Sequence, residues 1–208
     1  MRWDVVAKLD ADLQLTPRTI ETVEALLLRE PGVGIGGARL GLAPTAGGAR
    51  HRARRDHVDG AIKFYRRACW EDISPLPSML GWDTIDEVRA RLHGWRVASV
   101  DVPGGNPEQL RAMGLHDGLL RAHRRWGRCA WSYGEHPIHV LAVALQRAGD
   151  RPPIAGSANY MLGWAAAGLC RAPRAEPAVR RYVRDDQLRR LRARARALGR
   201  PVAAGDEA

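Results

Sequence analysis

Two aspartates one residue apart, Asp10 and Asp12, follow an apolar, strand-like run at residues 4–9. In open α/β sheets, ligands bind in the crevice at the carboxyl ends of the strands. Two carboxylates at such a place can hold a hard divalent cation, Mg²⁺ or Mn²⁺, which in turn binds a diphosphate. The alternative is that both aspartates only form a turn before the next helix.

A second acidic segment contains Asp83 and Asp86 and predicts the start of an amphipathic helix. Its expected apolar face holds Ile85, Val88 and Leu92, and Gly94 is expected to end it at the position after the C-cap. Both aspartates also have a purely structural interpretation. Asp83 is a suitable N-cap residue, and a negative charge at Asp86 is favoured by the helix dipole.

Between these segments lies Gly60-Ala61, followed by the pair Arg66-Arg67. In this order the three segments resemble the second half of the catalytic domain of family 2 glycosyltransferases, the inverting enzymes of GT-A type. The resemblance covers roughly residues 3–102. It implies an α/β fold, a partial GT-A (Rossmann-like) mixed sheet with flanking helices, followed by a helical C-terminal region.

The resemblance also implies an activity, the transfer of a sugar from a nucleotide-sugar donor to a hydroxyl acceptor with inversion. The acceptor would be a polysaccharide, a glycolipid or a cell-wall precursor. The leaving diphosphate needs a positive charge, which a metal ion supplies, and the incoming hydroxyl needs a carboxylate base. By resemblance, Asp10 and Asp12 would bind Mg²⁺ or Mn²⁺ and the donor, and Asp83 would be the base with Asp86 as a supporting carboxylate.

Three further residues are candidates for the site, His116 and Gly60 by the same resemblance and Trp82 because of its aromatic ring. His116 would complete the metal shell, Gly60 would let the acceptor lie close to the backbone, and Trp82 would stack on a sugar ring. Each has a plainer alternative, because a lone histidine is often structural, a strand glycine often marks a bulge, and a tryptophan often belongs to the core.

The composition limits the remaining possibilities. The 208 residues carry a formal net charge of +10, and the basic side chains are nearly all arginines. This charge favours anionic partners without choosing among them, and no nucleic-acid-binding motif is present, so we expect no nucleic acid. Three widely spaced cysteines fit a reducing cytoplasm. The alternative function is a non-catalytic remnant of the fold or a basic binding module.

The chain divides at a Pro-Gly-Gly-Asn-Pro linker, which predicts a catalytic half-domain at residues 1–102 and a helical region at residues 103–208. Members of the family normally open with βα units that bind the nucleotide, so we expect a truncated enzyme whose activity alone is uncertain. Thr16 and Pro17 predict the N-cap and first residue of the first helix.

Two apolar segments, residues 136–145 and 160–169, are too short to span a bilayer and are flanked by arginines and aromatic residues. Helices of this kind can lie in the headgroup region of a membrane. We expect a cytoplasmic protein with weak peripheral contact at the inner membrane face. The alternative is that both helices pack inside the protein.

Overall fold

The computed structural model describes residues 2–41, 54–110, 118–149 and 152–198. The strands are β1 (Val5–Leu9), β2 (Leu13–Gln14), β3 (Val33–Ala38), β4 (Ile62–Arg66), β5 (Arg96–Val100) and β6 (Glu108–Gln109). The helices are α1 (Thr19–Arg29), α2 (Arg67–Ile73), α3 (Trp82–Leu92), α4 (Leu119–Ser132), α5 (Pro137–Gln146), α6 (Ala155–Leu169) and α7 (Pro177–Leu198).

Four strands form one mixed sheet in the order β1-β4-β3-β5, and β2 and β6 form a separate antiparallel pair. Strand β4 is antiparallel to both β1 and β3, whereas β3 and β5 are parallel. The mixed sheet, its flanking helices and the helical C-terminal region confirm the predicted fold class.

Each face of the sheet is covered by helices, because the side chains of a strand alternate between its two faces. On one face, α1 buries Val23 and Leu27 against the sheet. On the other face, Cys69 and Ile73 of α2 and Ala90 of α3 pack against strand residues. Central strand β3 is buried along its whole length. Strand β1 lies at the edge of the sheet, where alternate side chains are exposed.

The C-terminal helices pack on each other and on α3. Helices α4 and α6 cross closely because Gly127 and Gly163 leave room for the backbone of the opposite helix. Val179 and Val183 of α7 pack against the inner face of α3. The boundary at residue 102 stays a prediction. Within the described residues, no helix is both long and apolar enough to cross a bilayer.

Two local expectations are wrong. Helix α1 begins at Thr19, not after Thr16, because the hydroxyls of Thr16 and Thr19 bond to each other at 2.8 Å and the intervening residues form a turn. Leu92 does not share the buried face of Ile85 and Val88, since 45% of its surface is exposed at the end of α3. Gly94 follows the C-cap with a φ of +85°, as predicted.

Candidate functional site

The end of β1 is joined to the loop that precedes β4. The backbone N–H of Asp10 donates to the carbonyl of Ala61 at 2.9 Å. Lys8 lies two residues before Asp10 and therefore on the same face of the strand. Its ammonium pairs with the Asp10 carboxylate and donates to the carbonyl of Gly60 at 2.6 Å. The candidate metal-binding aspartate is thus held beside Gly60.

Gly60 in turn lies against Asp83. A Cβ atom added at Gly60 would come within 2.8 Å of the Asp83 carboxylate oxygen Oδ2 and 3.1 Å of its Cβ. Real side chains do not approach so closely, so only glycine leaves room for Asp83 here. Asp83 is the second residue of α3, and the N-cap is Gly81, which makes no side-chain cap. The N-cap alternative for Asp83 is therefore wrong.

The two lysines of the chain meet at this place. Lys8 of β1 and Lys63 of β4 are direct partners across the antiparallel pair. Like charges that face each other across two strands repel, so each must be compensated. Both ammonium groups also lie near the Trp82 ring, at 5.3 Å and 5.7 Å from its centroid. This distance is typical of a cation–π contact.

Asp86 compensates the charge of Lys63 inside the protein. Both side chains are 0% exposed, and the Lys63 ammonium donates to the two Asp86 carboxylate oxygens at 2.8 Å and 3.0 Å. The Tyr65 hydroxyl donates to Asp86 at 2.6 Å, and Lys63 also donates to the backbone carbonyl of Asp83. Asp86 therefore does not reach solvent, and its contacts hold the first turn of α3 against β4.

Glu87 ties the same helix to the loop before Gly60. Its carboxylate is almost fully buried and accepts the backbone N–H of Val58 at 2.8 Å. The His57 ring nitrogen Nδ1 lies 3.0 Å from the same carboxylate, and Arg91 donates to it at 3.2 Å. The loop and the helix start are thus one hydrogen-bonded unit.

Burial and charge move the pKa values of these groups in opposite directions. Burial raises the pKa of Asp86 to about 6, although Lys63 and Tyr65 oppose the shift. Burial would also raise the pKa of Glu87, but the hydrogen bond from His57 and the nearby positive charges lower it to about 2. Burial raises the pKa of Asp59, which follows Val58 in the same loop. At neutral pH, Asp86 and Glu87 are both ionised.

Asp12 lies in the turn between β1 and β2, half-buried. Its carbonyl accepts the backbone N–H of Leu110 at 2.9 Å, where β6 ends. Among the described residues, no side chain binds the Asp12 carboxylate. His116 falls in residues 111–117, outside the described part of the chain, so its assignment to the metal stays a prediction.

Asp10 and Asp12 are the donors that the predicted cation would use. Across residues 2–41, 54–110, 118–149 and 152–198, no group of three histidine, cysteine or acidic side chains is close enough to hold a metal alone. Mg²⁺ usually binds through one or two carboxylates together with substrate phosphates and water. Asp10 and Asp12 are carboxylates of this kind, and their binding of a metal ion stays a prediction.

Sequence reasoning missed the positively charged part of the site. Lys8 and Lys63 are the only lysines among the 33 basic residues of the chain. In a sequence that otherwise uses arginine throughout, those two positions could have been singled out. Lys63 and Tyr65 also alternate with apolar residues in β4, which places two polar side chains on one face of a central strand. Glu87 gave no comparable signal.

No protein-family model and no curated protein matches this sequence. Among solved structures, the chain is similar to the mannosyltransferase PcManGT from Pyrobaculum calidifontis, which was solved in complex with GDP-Man and Mn²⁺. The sequences are 18% identical, the TM-score is 0.45, and the match covers 94% of this chain. The chain spans 55% of the length of that protein. A likeness this weak does not establish a shared activity.

Proposed function

We propose that this chain is a glycosyltransferase that moves a sugar from a nucleotide-sugar donor to a hydroxyl acceptor with inversion. One observation carries the proposal. Asp10 and Asp83 are separated by more than seventy residues, yet Lys8 binds both Asp10 and Gly60, and Gly60 touches Asp83. Residues that the resemblance assigns to the donor side and to the base thus lie within one connected site.

Asp83 is the proposed base. Its carboxylate is half-buried at the start of α3 and packs on Gly60, so its position is limited by contact with the backbone. A carboxylate at hydrogen-bond distance from the acceptor hydroxyl can take its proton as the bond to the sugar forms. The sugar passes through an oxocarbenium-like state, as in glycoside hydrolysis. For inversion, the acceptor must approach from the face opposite the leaving diphosphate.

Asp10 and Asp12 are the proposed ligands of Mg²⁺ or Mn²⁺. A bound divalent ion supplies positive charge to the leaving diphosphate. Lys8 already supplies one positive charge beside Asp10, and its side chain is 37% exposed. This lysine therefore has two possible partners in the loaded site, the Asp10 carboxylate and a donor phosphate.

Asp86 and Glu87 are proposed to position the base without touching the substrate. Asp86 is buried and accepts hydrogen bonds from Lys63 and Tyr65 of β4. Glu87 is buried and accepts the backbone N–H of Val58 in the loop before that strand. Lys63 links this buried pair to the backbone carbonyl of Asp83. Loss of Asp86 would remove the carboxylate that accepts hydrogen bonds from Lys63 and Tyr65, and with it an attachment of α3 to β4.

The acceptor is proposed to bind beside Gly60 and Asp83. The space above Gly60 is filled by Asp83, so an acceptor would lie beside this pair and not directly on the glycine. Trp82 is half-buried, and its ring is near both lysines. We propose that Trp82 borders the acceptor. A polysaccharide, a glycolipid and a cell-wall precursor all suit such a site, and a cytoplasmic location stays part of the proposal.

The test is the release of nucleoside diphosphate from a panel of UDP-, GDP- and dTDP-sugars with Mn²⁺ or Mg²⁺, for the wild type, Asp12→Ala and Asp83→Asn. We expect both variants to lose at least ~100-fold in rate. Asp185→Asn, an exposed aspartate on α7, is the matched control and should keep the wild-type rate. Full activity of folded Asp83→Asn would contradict the proposal. Absence of both turnover and metal binding would favour the basic binding module.

A further inference from the structure

Helix α5 presents an exposed apolar stripe. Ile138, Leu141 and Leu145 are 58%, 51% and 68% exposed. Their spacing of three and four residues places them on one face of the helix. Ile154 is 73% exposed and lies beside the C-terminal end of the stripe, because its backbone N–H donates to the carbonyl of Ala148 at 3.0 Å. We call these four residues the α5 stripe.

The neighbouring face of α5 lines a basic cavity. Ala142 and Gln146 directly follow Leu141 and Leu145, so they are rotated by about 100° around the helix. They border a cavity of about 460 Å³ between α5 and α7. Its other lining residues are Arg54, His139, Val143, Arg190, Leu191, Ala193 and Arg194. The stripe and the arginines of the cavity are thus adjacent.

The charge at this cavity is only partly compensated. Asp56 pairs with Arg54 and lies 3.6 Å from Arg190, which also pairs with Asp186. Arg194 is exposed, and no described side chain pairs with it. His139 faces the cavity and is held by Glu135 at 3.2 Å. Helix α7 as a whole carries eight arginines and two aspartates, so the region has a clear excess of positive charge.

We propose that the α5 stripe and the arginines beside it dock on a membrane surface that contains anionic phospholipids. Apolar side chains of an interfacial helix enter the boundary between headgroups and acyl chains, while nearby arginines contact headgroup phosphates. Charge complementarity favours this occupant over a second copy of the chain. A symmetric dimer through the same face would bring the arginine-rich helices together, and their charges repel.

This surface does not depend on the proposed glycosyl transfer, and its test needs no enzymatic readout. Flotation would measure recovery of the purified chain with vesicles of phosphatidylcholine alone and of phosphatidylcholine mixed equally with phosphatidylglycerol. We expect recovery with the mixed vesicles only, weakened by added salt. Leu141→Glu/Leu145→Glu should lower the partition coefficient at least ~10-fold. Leu28→Glu, at a leucine of α1 that is 74% exposed, should leave it unchanged.

The contribution of the cavity arginines is tested separately. Arg194→Gln should lower the partition coefficient about fivefold, as expected for one basic residue near an anionic surface. Arg181→Gln, on the same helix but outside the cavity, is its control. Circular dichroism would verify that each variant is folded. Equal recovery with both vesicle types, or none with either, would overturn the proposal. A dimer in size-exclusion chromatography that Leu141→Glu/Leu145→Glu dissociates would also overturn it and identify a second copy as the occupant.

Discussion

The stability of this protein should pass through a maximum in mild acid, because two neighbouring buried carboxylates titrate in opposite senses. The pKa of Asp86 is raised from 3.8 to about 6 in the folded chain. Protonation below pH 6 therefore favours the folded state, and stability rises as pH falls toward 4. The pKa of Glu87 is lowered from 4.5 to about 2. Its contribution is present above pH 4.5 and is lost as pH falls toward 2.

The magnitude follows from these shifts. A shift of one pKa unit corresponds to ~1.4 kcal/mol, so each group changes the free energy of unfolding by ~3 kcal/mol across its range. Glu87→Gln removes the stabilisation that depends on the ionised Glu87 carboxylate. We expect the stability difference between wild type and this variant to grow by ~3 kcal/mol from pH 2 to pH 4.5. For Asp86→Asn, we expect the stability of the wild type relative to the variant to fall as pH rises from 4 to 6.

Urea unfolding followed by tryptophan fluorescence, repeated at each pH, measures these differences. Glu71→Gln is the control, because Glu71 makes an exposed pair with Arg67 on α2 and should give only a small, constant offset. Stability profiles of wild type and Glu87→Gln that run parallel from pH 2 to pH 7 would contradict the lowered pKa of Glu87. They would mean that Glu87 is not held ionised by His57 and Lys63.

Three further predictions concern the site and its support. Gly60→Ala should displace the Asp83 carboxylate and lower the turnover rate ~10- to 100-fold, with little change in melting temperature. Gly149→Ala is the control and should change neither quantity, because a Cβ atom added there meets nothing within 4 Å. Gly163→Ala should lower the free energy of unfolding by more than ~2 kcal/mol in urea titrations, because the added Cβ would overlap the backbone of α4. Lys8→Met should raise Mn²⁺ affinity about fivefold in a calorimetric titration, because the Asp10 carboxylate loses the ammonium that pairs with it. Unchanged affinity would mean that Asp10 does not bind the ion.

Much of the fold could be predicted from local signals. Hydrophobic periodicity, together with glycine and proline at the ends of elements, predicts the strand before Asp10, the glycine-rich strand β3 and the four C-terminal helices. Gly94 correctly predicted the end of α3 because its positive φ suits a residue without a side chain. Thr16 misled, since its hydroxyl bonds to Thr19 in a turn instead of capping the helix.

The site was only partly predictable, because its geometry depends on pairs distant in sequence. Asp10, Gly60 and Asp83 could be chosen by their order along the chain, but their contact depends on Lys8. The register that sets Lys8 opposite Lys63 is a tertiary property. No local pattern indicated that Asp86 is fully buried. The sheet pairing and the packing of α3 on β4 decide which carboxylates face solvent and which hold the framework.

We propose that Asp10 and Asp12, after the end of β1, and Asp83 belong to one substrate site. Anomalous diffraction from crystals soaked with Mn²⁺ and a nucleoside diphosphate tests it most directly. We expect a single strong Mn²⁺ peak bonded to Asp10 or Asp12, with the diphosphate on the side of the sheet where Lys8, Gly60 and Asp83 meet. A peak bound elsewhere on the chain, or a diphosphate bound away from Asp83, would contradict it.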